Sequence, residues 1–290
     1  MTNKKEVNSE IDYLTVLSSI LESYEEIAAS RMGHIRSSVL KSRDFLLEIN
    51  TIFQEVKASY KEDIALLMKR KKIKNPKELT FLNRNGKTLY LLVSANTGLY
   101  GDIVKRTYNI FIENLKKDKI RDVTIIGRLG YQLFESENID ATVSYFDFPD
   151  DRIDTEKLKK IVEHIVQYQK VLVFYEQFKN VIDQNPIITN ISGDPLSYDQ
   201  GGAKVIKYFF EPSLEKIMVF FEKEIVGSIF EQTILESELA KFASRMVALD
   251  ISNENTKNRL KQTLFQKERL KHQANNKEQI EKFSYIKLWR

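Results

Sequence analysis

Apolar residues recur every three or four positions at both ends of this chain, whereas its middle breaks into short apolar runs separated by amphipathic stretches. In the last third, Leu239, Phe242, Met246 and Leu249 keep the spacing of a helix that packs along one supercoiled seam. The same spacing continues through Asn253, Thr256, Leu260, Thr263, Lys267, Leu270 and Ala274, so the seam persists but turns polar. After Pro212 there is no further proline and Gly227 is the only glycine, so nothing up to about Tyr285 obliges a helix to stop. At the front, Ala28, Met32, Ile35, Val39, Ser42, Leu46, Ile49, Phe53, Val56 and Tyr60 alternate steps of four and three, and Leu14, Leu17, Leu21 and Tyr24 precede them. One extra residue where the two runs meet, between Ala28 and Met32, predicts a local loosening of the supercoil. The first helix is expected from about Ser9 to near Leu67. Two such helices at opposite ends of one chain predict an antiparallel coiled coil with a compact block at one end, like a head on a handle.

The block alternates strand and helix patterns. Thr88 to Ala95 predicts a buried strand, Asp102 to Leu115 an amphipathic helix, and Asp122 to Gly127 a second strand. A short helix from Leu129 to Glu137 leads to a strand over Thr142 to Phe146. A further helix follows with Asp154 as its N-cap, and then a strand from Lys170. Strands separated by helices predict a parallel sheet covered on both faces, a Rossmann-like layout. The fold class is therefore α/β, a long coiled coil of N- and C-terminal helices plus a Rossmann-like head. Its segments are 1–68, 69–211 and 212–290. Residues Ser192 to Gly202 are rich in turn formers and should form a mobile connection.

Composition narrows the function. No run approaches the roughly 20 apolar residues of a membrane span, and the polar start resembles no secretory signal. The chain has no cysteine, so it has no disulfide framework and no thiolate metal site. Its 45 basic and 41 acidic side chains leave a net charge of +4, which suits protein partners better than nucleic acid. The basic run Lys69, Arg70, Lys71, Lys72, Lys74 and Lys77 reads as a solvated loop rather than a nucleic-acid patch. Gly98 and Gly101, after the first strand, would bring backbone amides near a phosphate. The turn lacks both the third glycine of a dinucleotide fingerprint and the lysine-serine of a phosphate loop, so a structural turn is the favoured reading. His34, His164 and His272 have no metal-ligand spacing, Asp150 and Asp151 fit a loop beside Pro149, and the sequon at Asn190 should stay unused. No nucleophile and base pair stands out, which argues against catalysis.

Several motifs fall in a recognisable order. Ser94, Gly98, Leu99 and Gly101 fit a Ser-Asp-x-Gly-Leu-x-Gly turn, and Gly127, Gly130 and Phe134 fit a second glycine motif. Tyr175, Phe178 and Ile182 fit a later strand pattern, and Phe210, Glu211, Pro212 and Ser213 precede the long helix. Leu235-Glu236-Ser237, Ala243 to Ala248 and Ile27 to Met32 complete the series. In this order the chain resembles the gamma subunit of F-type rotary ATPases, the central rotor shaft.

The resemblance implies a non-catalytic subunit whose coiled coil enters a hexameric alpha/beta-type ATPase ring. ATP and Mg would be held by the ring subunits, and no cofactor or metal by this chain. The head would grip a proteolipid ring, or an alternative output module, through a small epsilon-like subunit. The protein would be cytoplasmic and peripheral to the inner face of the cell membrane, without inserting into it. The expected ring interface comprises Leu17, Ile20, Leu21, Arg31 and Met32 on the first helix. On the last helix it comprises Arg245, Met246, Leu249, Glu254, Asn255, Leu260, Ile280 and Phe283. Ser94, Gly98, Leu99, Gly101, Gly127 and Gly130 form the head turns, and Glu211, Pro212 and Ser213 the junction of head and shaft.

The departures are local. Thr15, Val16, Leu17 and Ser19, followed by Glu22, Glu25 and Glu26, stand where the family has a basic segment, so an electrostatic catch on acidic ring loops is weakened or reversed. The tip carries Ile280, Phe283, Ile286, Leu288 and Trp289 in place of a small-residue tail. Ala95, Asn96 and Leu129 replace charged residues of the head turns. Two readings follow: the rotor of an ATP synthase or ion pump, and the shaft of a paralogous motor with another output, such as gliding. A third, an α/β enzyme on a coiled-coil tether, predicts turnover by the isolated chain.

Overall fold

A computed structural model describes residues 4–60, 82–118, 120–137, 139–192 and 213–288. These fall into two compact units, one drawn from residues 1–30 with 245–290 and the other from residues 31–244. The basic run at 69–77, the connection after Ser192, and Glu211, Pro212 and Trp289 lie outside the described residues.

The first unit is a pair of antiparallel helical segments. They belong to α1 (Lys4–Ser59) and to the last helix of the chain, α5 (Leu214–Leu288). Glu10 pairs with Arg259 at 2.8 Å, Ser18 donates to the Asn253 side chain at 2.8 Å, and Glu22 pairs with Lys257 at 2.8 Å. From Glu10 with Arg259 to Ser18 with Asn253 the numbers rise on α1 and fall on α5, which is antiparallel pairing, and the long Glu22 side chain reaches back to Lys257. The charges favour it, because Glu6, Glu10, Asp12, Glu22, Glu25 and Glu26 outweigh Lys4 and Lys5 on α1, while α5 offers Lys257, Arg259, Lys261, Lys267 and Arg269. Along α5 the seam follows the predicted spacing, with Leu249, Asn253, Thr256 and Thr263 buried and Leu260, Lys267 and Leu270 half-buried. Ala274 is exposed, as are the residues after Leu270 whose side chains are described.

Along α1 the structure corrects the seam. Val7, Leu14, Ser18 and Ala28 are buried, and Ile11, Leu21 and Glu25 half-buried, an unbroken alternation of four and three that leads on to Met32 and Ile35. The expected discontinuity before Met32 is absent, because Ser18 and Glu25 hold the seam where Leu17 and Tyr24 were expected. Ser18 remains there because Asn253 satisfies its hydroxyl; a buried polar pair of this kind also fixes the register of two helices.

The second unit is the head, with the remaining parts of α1 and α5 packed into it. Its strands are β1 (Thr88–Val93), β2 (Asp122–Ile126), β3 (Thr142–Phe146), β4 (Lys170–Phe178) and β5 (Gln184–Asn190), in the order β3-β2-β1-β4-β5. The first four are parallel, as predicted, and β5 is an antiparallel edge. Alternation along β1 splits the core. Leu89, Leu91 and Val93 face α4 (Thr155–Ile165) and, from α5, Phe230 and Ile234. Tyr90 and Leu92 face α2 (Ile103–Asp118) and α3 (Arg128–Ser136), around Phe111 and Phe134. The predicted cap holds: Asp154 accepts from the Lys157 backbone N–H at 3.1 Å. Leu46, Ile49, Phe53 and Val56 of α1 pack on Met218 and Ile225 of α5.

Leu249 is 6% exposed whereas Met246 is half-buried. Leu249→Asp is therefore expected to cost about 2–4 kcal/mol and Met246→Asp clearly less. Helicity and urea midpoints of the two variants measure this; equal, small effects would refute the seam.

Candidate functional site

Two regions carry the predicted functional residues, the helical pair of the first unit and the turns at the carboxyl ends of the head strands. In the pair, Leu17, Leu21, Arg245, Met246 and Leu260 are half-buried beside or within the seam, and Leu249 is buried. Glu254 and Asn255 are exposed, and Ile280 and Phe283 are 68% and 70% exposed. The unit thus brings together the seam residues and presents the others outward. Arg31 and Met32 belong to the second unit, where Arg31 lies 3.7 Å from Asp151 and Met32 is half-buried. Ser213 is exposed.

The head turns are built around an internal anion. The Asp150 carboxylate accepts from the backbone N–H of Asn96 at 2.8 and 2.9 Å and from that of Thr97 at 2.8 Å, and also from the Thr97 hydroxyl at 2.9 Å. The Asn96 and Thr97 amides, just before Gly98, are thus spent on the protein's own carboxylate. Asn96 is the hub: its side chain donates to Asp147 and to the Phe148 carbonyl, and accepts from the Arg128 N–H at 2.8 Å. Asp150 and Asn96 are the residues that sequence reasoning undervalued, one as a plain loop carboxylate and the other as a departure.

The glycines divide by need. Gly127 has φ 97°, and a Cβ there would lie 2.7 Å from the Ala95 nitrogen. Gly130 touches β1 so closely that a Cβ would lie 2.7 Å from the Ser94 Cβ. Gly98 faces open space with an ordinary backbone, while Gly101 has φ 61° and Leu99 φ 66°. Leu99 is 66% exposed, at the rim of an open cavity of about 330 Å³ that it shares with Leu129 and Leu133.

Beneath the turns, α5 supplies a buried polar group of contacts. Lys241 donates to the Ser94 carbonyl at 2.8 Å, Ser244 to the Tyr100 carbonyl at 2.9 Å, and Ser237 to Glu176 at 2.5 Å. Among the described residues, Glu176 and Glu238 each keep one buried carboxylate oxygen without a hydrogen-bond partner. Burial pushes the Glu238 carboxyl up to about 7, with Lys241 opposing and Asp150 and Asp151 adding to the rise. Burial raises Glu176 as well. His164 is half-buried with Nε2 3.0 Å from the Thr124 hydroxyl, and burial lowers its pKa; His34 and His272 are exposed. Among the described residues, no group of three His, Cys, Asp or Glu is placed to hold a metal ion, and no helix is long and apolar enough to cross a membrane.

The family model described as ATP synthase matches residues 3–281, nearly the whole chain. The chain belongs to the ATP synthase gamma family. The ATP synthase gamma chain of Mycoplasma capricolum is 23% identical over 272 residues, covering 91% of this chain and 90% of that one. That of Cytophaga hutchinsonii is 26% identical over 299 residues, covering 97% of each. A central-stalk chain of the Tetrahymena thermophila mitochondrial ATP synthase, solved with its c-ring, shares the fold. Its TM-score is 0.55 at 18% identity, over 80% of this chain and 99% of that one. The gamma family assignment accounts for the coiled coil and the Rossmann-like head together.

The glycine geometry gives one prediction: Gly130→Ala forces α3 from β1 and lowers head stability by about 1–3 kcal/mol, while Gly98→Ala changes it by less than about 0.5 kcal/mol. Urea melts of both variants test the contrast, and equal losses would contradict the close approach. The Glu238 carboxyl gives another. Its folded pKa of about 7 lies above the ordinary 4.5, so the folded state keeps a proton that the unfolded state releases between those values. Stability therefore falls as pH rises through that window and stays lower above it. Glu238→Gln is expected to flatten that slope and to raise stability at pH 8 by no more than roughly 3 kcal/mol. Parallel pH profiles for the two proteins would contradict this.

Proposed function

We propose that this chain is the central rotor subunit of an F-type rotary ATPase and transmits torque between a hexameric ATPase ring and an output module. The observation that carries the reading is the antiparallel pair formed by the N- and C-terminal helices in a chain of the gamma family. ATP and Mg belong to the ring subunits. This chain contributes no catalytic side chain, and in its first head turn the Asn96 and Thr97 amides are bonded to Asp150 rather than offered to a phosphate. Its work is conformational, because only contacts that differ between ring subunits bias their open and closed states.

The seam residues Leu249 and Leu260 hold the two helices together, and Ile20, Glu254 and Asn255, exposed beside the seam, face the ring. Ile280 and Phe283 form the tip that turns in the ring's bearing. The head, through turns of which Leu99 is the exposed corner, meets an epsilon-like subunit and an output ring at the inner face of the membrane. A second reading, a paralogous motor with an output other than ion transport, such as gliding, draws on the acidic N-terminal segment and the aromatic tip.

Purification of the native assembly through a tag on this chain tests both readings. Ring subunits with proteolipids are expected for an ion-coupled rotor, the same ring without proteolipids supports the second reading, and absence of any ATPase ring contradicts the proposal. Removing the residues after Lys277 is expected to abolish most coupled output while leaving the head's melting unchanged; full output after that truncation would remove the tip from the mechanism.

A further inference from the structure

The first head turn, residues 94–101, is held at both ends by one face of α5. At its start the Lys241 ammonium, only 4% exposed, donates to the Ser94 carbonyl at 2.8 Å, and at its end the Ser244 hydroxyl donates to the Tyr100 carbonyl at 2.9 Å. The two donors stand three positions apart, as neighbours on the helix surface. Phe242 adds an edge-on contact with the Tyr100 ring, their centroids 5.8 Å apart.

The same turn is reached from α1. Arg31 lies 3.7 Å from Asp151, and the neighbouring Asp150 accepts the Asn96 and Thr97 N–H groups. Arg31 and Ser244 are also the first and last residues of the head unit along the chain. The turn is thus tied to both long helices close to the points of the sequence where each passes from one unit to the other.

Stability alone does not account for the α5 contacts. A buried ammonium is costly, and an apolar side chain of similar length would fill the space without that cost. The sequence nevertheless keeps Lys241, near the buried carboxyl groups of Glu176 and Glu238. What the amine adds is direction. Packing of α5 on the sheet through Phe230 and Ile234 is non-directional and tolerates a small roll of the helix about its axis. A hydrogen bond weakens steeply as its angle closes below linearity, so two of them at opposite ends of a turn resist that roll.

We propose that Lys241 and Ser244 are positioning residues of a torsional lock, which fixes the first head turn to α5 and passes rotation of the long helices to the head. Arg31 and the Asp150–Asp151 segment close the lock from α1. The proposal rests on the rotor reading above and names where torque crosses into the head.

The test uses the assembled complex with its ring fixed to a surface, ATP withheld and a marker on the exposed residue Ile182. The angular variance of the stalled marker measures the torsional compliance between ring and head, so a broken lock adds variance. Lys241→Met with Ser244→Ala removes both donors and is expected to raise the variance roughly twofold at a temperature well below melting, with ATP hydrolysis by the ring unchanged. Lys241→Met also removes a buried charge, so this rise is expected without a matching fall in melting temperature, which a purely stabilising role would require. Ser244→Ala alone is the milder change and is expected to raise the variance less, while Ser244→Thr, which keeps the hydroxyl, holds the parent value. Parent-level variance in Ser244→Ala and in the double variant would overturn the lock and leave the rotor reading standing. If the parent marker does not turn once ATP is supplied, the rotor reading fails and the lock with it.

Discussion

The structure depends on the last helix, which must bury two different kinds of surface along one length. Within the head unit it lays Phe230 and Ile234 on the sheet, packs Met218 and Ile225 on α1, and sends Lys241 and Ser244 to the carbonyls of the first turn. Within the helical pair it offers a narrow seam in which Leu249 is followed by Asn253, Thr256 and Thr263. The broad apolar face suits a sheet, and the narrow seam suits a single partner helix. A uniform apolar stripe would satisfy neither region as well, because it would leave excess apolar surface where only one helix covers it.

The polar seam has a further consequence. Hydroxyl and amide side chains in a buried seam contribute less burial energy than leucine and gain specificity of register, here through the contact of Ser18 with Asn253. Exposed pairs such as Glu22 with Lys257 add little stability each. Holding the helices together therefore falls to the apolar seam residues and to packing in the head unit. The head is reinforced from inside, since Asp150 supplies the negative charge at a turn where related folds bind a ligand.

Much of this was legible in the sequence, for physical reasons. The spacing of Leu239, Phe242, Met246 and Leu249 identified the seam of α5, and strand and helix patterns placed β1 to β4 because buried runs and amphipathic helices leave distinct periods. β5 was missed because Pro186 in its middle argues against a strand, a restriction that is relaxed at a sheet edge. The seam of α1 was misplaced over residues 17–25 because hydrophobicity favours Leu17 and Tyr24, whereas the helix selects Ser18 and Glu25. Asp150 was recognisable as a loop residue, but its role arises from residues more than fifty positions away, and no local spacing encodes that contact. The buried ionisable side chains Glu176, Glu238 and Lys241 were hidden for the same reason, since burial is a property of the packed sheet.

The proposed rotor function requires that the chain turn as a shaft. Its most direct test is single-molecule observation of the assembled complex, with the ATPase ring fixed to a surface and a marker attached to the exposed head residue Ile182. During ATP hydrolysis the marker is predicted to rotate in one direction in discrete steps. A marker that stays stationary while the ring hydrolyses ATP would contradict the account.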